Sequence, residues 1–285
     1  MPNIGSCGVL VENDMNSETT HSLLSIALVA DLHYAPITVG NRYCTESLTK
    51  LKAAVDVFQE RHLDLVVCLG DVIDESETIE GSLSCVRDVV QALDVLPAEK
   101  HYVLGNHDVS ELTKAQFLAA VGAESSCYSF DCRGVHIVIL DSNFNPDGTP
   151  FAPGNLEWND AWVGEEQICW LREDLAGAGE RPTLVFCHAN LDHRVRENGE
   201  LNGHIVKDAA KVREVLEAAG NVKAVIQGHD HAGNQSTING IPYIVLRGMV
   251  EGSGLAQNAY ALLSLMSDGA IQLEGFGQQS SMRVG

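Results

Sequence analysis

Five apolar runs in this chain close on side chains able to bind metals: ADLH (30–33), GDVID (70–74), GNHD (105–108), CH (187–188) and GHDH (228–231). Short aliphatic and β-branched runs read as strands. In an α/β sheet the carboxyl ends of neighbouring strands converge on one edge, where ligands bind. The chain must therefore fold so that these ends meet. Asp31, His33, Asp71, Asn106, His188, His229 and His231 are then candidates for one site. They offer imidazole nitrogens, carboxylates and an amide oxygen, with no thiolate. That set suits Mn, Fe, Co, Ni or Zn in high coordination rather than a closed structural zinc. A lone D-x-H or G-H-x-H is usually a turn or a satisfied core histidine. Five such pieces, each ending a strand, point instead to a metal centre.

Between the runs the pattern alternates. A helix is expected over 47–62, with apolar residues at 48, 51, 55 and 58, and further helices near 79–94, 112–121, 164–176 and 206–219. CYSFDC (127–132) and GVHIVILDS (134–142) read as a hairpin, and the tail from 234 to about 275 as three or four strands. Turns are expected at Asn239-Gly240 and Asp268-Gly269. Mixed sheets covered by helices follow, more α/β than α+β. Residues 1–20 are polar and aperiodic and read as a flexible arm; residues 21–285, without repeat or linker, read as one domain.

With 18 Lys+Arg against 39 Asp+Glu the formal charge is −21. A nucleic-acid polymer or anionic membrane needs a basic face, so neither is expected as a partner. A small anionic substrate remains open, because bound cations reverse the local field. The chain carries no apolar stretch of spanning length, and LLSIALVA (23–30) lacks a basic flank and reads as a core strand. The eight cysteines form no C-x-x-C pair, which suits reduced thiols and a cytoplasmic location.

The five blocks resemble those of the calcineurin-like metallophosphoesterases over most of residues 24–275. The resemblance implies an αββα fold, a β-sandwich of two mixed sheets flanked by helices, around a dinuclear centre. It implies one divalent ion on Asp31, His33, Asp71 and His231, and a second on Asp71, Asn106, His188 and His229, with Asp71 bridging. Manganese is the expected metal, with Fe, Zn, Co or Ni compatible. A metal-bridging hydroxide would attack phosphorus, His107 would act as acid or charge stabiliser, and Asp108 would orient His107.

Departures narrow the class. Protein phosphatases of the superfamily place an arginine where Glu75 stands, and purple acid phosphatases a tyrosinate where Asp74 stands. The fourth block commonly reads H-x-P, whereas Asn190 follows His188-Ala189 here. EEQICWLREDL (165–175) and LRGMVEGSG (246–254) are similar to segments of manganese-dependent ADP-ribose/CDP-alcohol diphosphatases, and the GNHD spelling is shared with class III cyclic-nucleotide phosphodiesterases. The expected activity is hydrolysis of a small, nucleotide-like phosphodiester or pyrophosphate. A broad phosphomonoesterase and an inactive interaction scaffold are the alternatives. In the loop 143–162, Trp158 and Trp162 are candidate substrate contacts by stacking. His193 and His204 read as surface residues, Arg194 and Arg196 as a solvated pair.

Overall fold

The computed structural model describes residues 20–285 apart from 156 and 197. The expected N-terminal arm thus lies outside the described residues except for its last position. The chain runs β1 (Ser22–Val29), α1 (Ser47–Gln59), β2 (Leu65–Cys68), α2 (Ile79–Leu93), β3 (Glu99–Tyr102) and α3 (Lys114–Val121). The hairpin β4 (Tyr128–Cys132) and β5 (Val135–Leu140) follows, then α4 (Glu165–Ala178), β6 (Thr183–Cys187), α5 (Ala209–Ala219) and β7 (Val222–Gln227). Five strands end it: β8 (Asn234–Ile238), β9 (Ile241–Val245), β10 (Ala259–Met266), β11 (Ile271–Gly277) and β12 (Met282–Val284). The extra tail strand, β12, is three residues long in a polar stretch, so no apolar run announced it.

Two six-stranded sheets result, ordered β12-β11-β10-β1-β2-β3 and β4-β5-β6-β7-β9-β8. Both are mixed: β1, β2 and β3 are parallel, as are β5, β6, β7 and β9, with antiparallel strands at the flanks. Strand alternation explains the sandwich. Leu24, Ile26 and Leu28 of β1, Leu65 and Val67 of β2, Ile137 and Ile139 of β5 and Leu184 and Phe186 of β6 pack together between the sheets. Ala27, Val29, Val66, Cys68, Val138, Val185 and Cys187 face the other way, into the layer with the helices' Phe58, Val86, Leu171 and Leu216. Strands buried on both faces read as continuous apolar runs, which is why they were visible in sequence. The α/β sandwich of two mixed sheets flanked by helices is the fold expected.

Helix boundaries have local causes. Thr78 caps α2 by accepting the Gly81 amide at 3.0 Å, and Thr113 with Gln116 forms a capping box on α3. One helix position defies its pattern: Lys50 sits on the buried face of α1 at 1% exposure. Its ammonium donates to the carbonyls of Met249, Glu251 and Gly252 at 2.6–3.0 Å. Among the described residues no helix is long and apolar enough to cross a membrane, and the seven described cysteines are all free.

Candidate metal centre

The parallel strands β1–β3 of one sheet and β6–β7 of the other end at a common edge, and the seven candidate ligands follow those ends. Backbone strain concentrates there. Asp31, His33, Asp71 and His229 have φ of 51°, 46°, 49° and 70°, in the left-handed region. Among the described residues the other two non-glycine cases, Arg133 and Asn239, each precede a glycine in a hairpin turn, where such φ is ordinary. Each strained residue costs roughly 1–3 kcal/mol. The surrounding backbone fixes them: Asp31 N–H donates to Gly70 O at 3.1 Å and His33 N–H to Asp71 O at 2.8 Å. Close packing also dictates Gly105. A Cβ there would lie 2.1 Å from the Asp71 nitrogen.

The donor atoms gather in two halves that share Asp71. In the first, His33 Nε2 lies 3.1 Å from His231 Nε2, and His231 Nε2 lies 3.7 Å from Asp31 Oδ1. In the second, His188 Nε2 lies 3.2 Å from Asn106 Oδ1, and Asp71, His188 and His229 cluster within reach of one ion. Asp71 Oδ2 is 3.4 Å from His33 Nε2 and 3.2 Å from His188 Nε2, while its Oδ1 accepts the His107 amide at 2.8 Å. One oxygen is thus anchored and the other stands between the halves. Around a cation with bonds of ~2.1 Å, adjacent ligand atoms sit roughly 3.0–3.4 Å apart. The spacings involving His33, His188, Asn106 and Asp71, 3.1–3.4 Å, match, while His231 to Asp31 is wider, at 3.7 Å. His229 Nε2 is buried with no protein partner, as a ligand atom would be.

The ring orientations agree with that use. His188 Nδ1 donates to Leu69 O at 2.7 Å, and His231 Nδ1 to Glu251 Oε1 at 2.7 Å, leaving each Nε2 for an ion. Burial pushes the Asp31 carboxyl up to about 6, opposed by His231 and His188. Burial would also raise Asp71, but the charges of His188, His107 and His33 outweigh it and hold Asp71 well below the usual range. Burial lowers His33 to about 4 and His229 well below its ordinary value. Against burial, Asp71 raises His188 to about 9.

Above the centre opens a cavity of about 450 Å³ lined by Arg42, His107, Phe151, Trp158 and His204 as well as several ligands. His107 lies at its edge, and its basicity is raised: Asp71 and Asp74 together outweigh burial. Here one expectation is corrected. Asp108 does not face His107. Its two oxygens accept the amides of Val72, Ile73 and Gly105 at 2.8–3.2 Å, tying the second block to the third. Asp74 takes the orienting place, 3.3 Å from His107 Nδ1, 3.2 Å from His33 Nδ1 and 2.9 Å from Arg42.

Trp162 is likewise corrected. It pairs with Phe144 through backbone bonds, donates its indole N–H to Asp160, and lines a different cavity with Phe144 and Trp170. Trp158 does reach the site, its ring 5.7 Å from His229. His204 is half-buried and lines the cavity, whereas His193 is exposed. Arg194 is engaged with Asp192, Asp230 and Asn190 rather than solvated. Asn190, in place of the usual H-x-P turn, donates to Gly228 O at 2.8 Å and links the fourth block to the fifth. Sequence reasoning missed Arg42, which lines the cavity beside Glu75, and missed Glu251, which lies within LRGMVEGSG and pairs with His231.

The chain is 24% identical to a manganese-dependent ADP-ribose/CDP-alcohol diphosphatase of Oryza sativa subsp. japonica, over 78% of this chain and 82% of that protein. It is 28% identical to a cAMP/cGMP dual specificity phosphodiesterase of Mycobacterium tuberculosis, over 64% and 53% of the two. The crystal structure of a dimetal phosphatase from Danio rerio superposes with a TM-score of 0.80 at 21% identity, covering 93% of this chain and 99% of that one. The calcineurin-like phosphoesterase family model matches residues 24–233, the span that carries all seven candidate ligands, and the chain belongs to that family.

Proposed function

We propose that this enzyme is a two-metal phosphohydrolase that opens small nucleotide-like diphosphates or phosphodiesters, with manganese as its metal. The observation that carries the reading is Asp71 Oδ2, placed between His33 and His188 at 3.4 and 3.2 Å, where one carboxylate oxygen would be shared by the two sets of ligands. Asp31, His33, Asp71 and His231 would hold the first ion; Asp71, Asn106, His188 and His229 the second. When bound, the pair lowers the pKa of water and withdraws charge from phosphoryl oxygens.

The chain's own residues supply the rest. His107, whose charged form Asp71 and Asp74 favour against burial, would donate to the departing oxygen. Arg42, braced by Asp74 at 2.9 Å, pairs a non-bridging phosphate oxygen. Trp158 offers a face for a base or aryl group. A cavity of about 450 Å³ accepts a nucleotide more readily than a phosphoprotein surface. The relatives' printed substrates, ADP-ribose, CDP-alcohols and cyclic nucleotides, belong to this class. The free cysteines and the net charge of −21 favour a cytoplasmic enzyme without nucleic-acid or membrane partners.

The test is turnover by manganese-loaded protein of bis(p-nitrophenyl) phosphate and ADP-ribose beside p-nitrophenyl phosphate. Higher kcat/KM for the diester or the diphosphate is expected. Preference for the monoester would make the chain a phosphomonoesterase instead, and no turnover of any would favour a scaffold.

A further inference from the structure

His204 lies in the loop between β6 and α5, outside every metal-ligand block, yet lines the site cavity. Its ring is held on three sides. Trp158 packs 5.1 Å from it between centroids, and His229 packs 5.1 Å away on another side. Asn202 Oδ1 accepts the backbone N–H of His204 at 3.0 Å and stands 2.9 Å from ring Nδ1. The backbone bond settles which end of the Asn202 amide is oxygen. An oxygen facing Nδ1 requires a proton there. In the neutral ring Nε2 then carries a lone pair, and no described residue bonds it.

A lone pair repels a phosphate oxygen but accepts from a hydroxyl. The ring touches His229, so whatever meets Nε2 belongs to the group joined to the reacting phosphate rather than to a distant base. In a nucleotide that group is the sugar. Resting on the proposed phosphohydrolase reading, we propose that His204 is a specificity-determining residue that accepts a hydrogen bond from a sugar or polyol hydroxyl beside the reacting phosphate. A site built to pair a hydroxyl discriminates against the analogue that lacks it, because the acceptor covered by the bound ligand is then left unpaired.

Calorimetry on manganese-loaded protein with AMP and 2′,3′-dideoxy-AMP tests this. The wild type should bind AMP roughly tenfold tighter. His204→Leu should bind the two alike, and His204→Gln, which keeps an acceptor, should retain part of the preference. Wild-type turnover of bis(p-nitrophenyl) phosphate, which has no hydroxyl, tests the phosphohydrolase reading separately. No preference in the wild type, or a full preference in His204→Leu, overturns the proposal. So does loss of manganese from His204→Leu, which would mean the ring only props His229. A wild type that separates the nucleotides but never hydrolyses the diester would break the phosphohydrolase reading and leave this contact standing.

Discussion

The two halves of the proposed metal centre bring together similar candidate ligands but brace them by different chemistry. In the half of His188, the imidazole is held by a backbone carbonyl, Leu69 O, and Asn106 contributes a neutral oxygen. In the half of His33 and His231, carboxylates stand behind the rings: Asp74 beside His33 and Glu251 beside His231. Lys50 extends that support, because its three carbonyl bonds clamp the 249–252 segment from which Glu251 projects. A carbonyl fixes a ring without adding charge, whereas a carboxylate also makes the imidazole a stronger donor. The first arrangement is rigid by burial; the second is tunable through side chains. Asp71 is the member common to both, so it should be the residue at which the distinction disappears.

Removing Asp71 gives the largest effect. Asp71→Ala should lose both ions, measured by native mass spectrometry under saturating manganese, and turnover with them. Retention of one ion would show that a half can stand without the bridge. A wild type that saturates at one ion would end the two-metal reading. Next in size, His107→Ala should keep both ions and lose about 10²-fold in turnover, the scale of a positioned acid. The loss should shrink for p-nitrophenolate, which leaves without a proton. Collapse of the metal content in this variant would make His107 a ligand of the first half, beside His33 and Asp74.

The contrast between halves is sharpened by a pair of milder variants. Glu251→Gln keeps a hydrogen-bond acceptor for His231 Nδ1 but removes the charge. It should weaken one of two manganese equivalents by about tenfold, the lower end for a supporting carboxylate. Asn106→Ala should weaken the other equivalent. Two-site calorimetric titrations decide: if both variants weaken the same equivalent, the halves are not separate, and if each weakens both, Asp71 couples them too tightly for the distinction to matter.

The legible and illegible parts of this molecule divide along physical lines. The strands could be read because β1, β2, β5 and β6 are buried on both faces and left continuous apolar runs. The seven candidate ligands could be grouped in sequence because each lies within a few residues of a strand-like run's end. Supporting residues gave no such signal. Arg42 reaches the site from a loop fixed by its own bonds to Val39 and by Asp74, with no periodicity to mark it. Asp74 was in plain view within GDVID, yet its role depends on tertiary neighbours. Asp108 was misassigned because adjacency to His107 in sequence says nothing of where a carboxylate turns, and here it turns back to three amides. Lys50 sat on an apolar helix face where a lysine reads as a solvated edge, and burial against three carbonyls was invisible.

The smallest expected effect concerns the rims of the two halves, which differ as the halves do. Arg42 stands over the first half, bonded to Asp74 and 3.5 Å from His107. Trp158 stands over the second, beside His229 and His204. A charged group suits phosphate and an aromatic face suits a base, so the rim should hold a nucleotide with its phosphate toward Arg42 and its nucleoside toward Trp158. Trp162, four positions along the same loop, is the internal control, because it faces another cavity. Trp158→Ala should raise KM for ADP-ribose about fivefold, corresponding to ~1 kcal/mol of stacking, the low end for a partly exposed ring. For a dialkyl phosphate it should change KM little. Trp162→Ala should alter neither KM and act only on thermal stability, since its ring packs the loop. Equal rises in KM for both substrates in Trp158→Ala would reduce that ring to packing as well. A rise confined to Trp162→Ala would mean that the base lies in the second cavity, and that the rim over His229 does not read it.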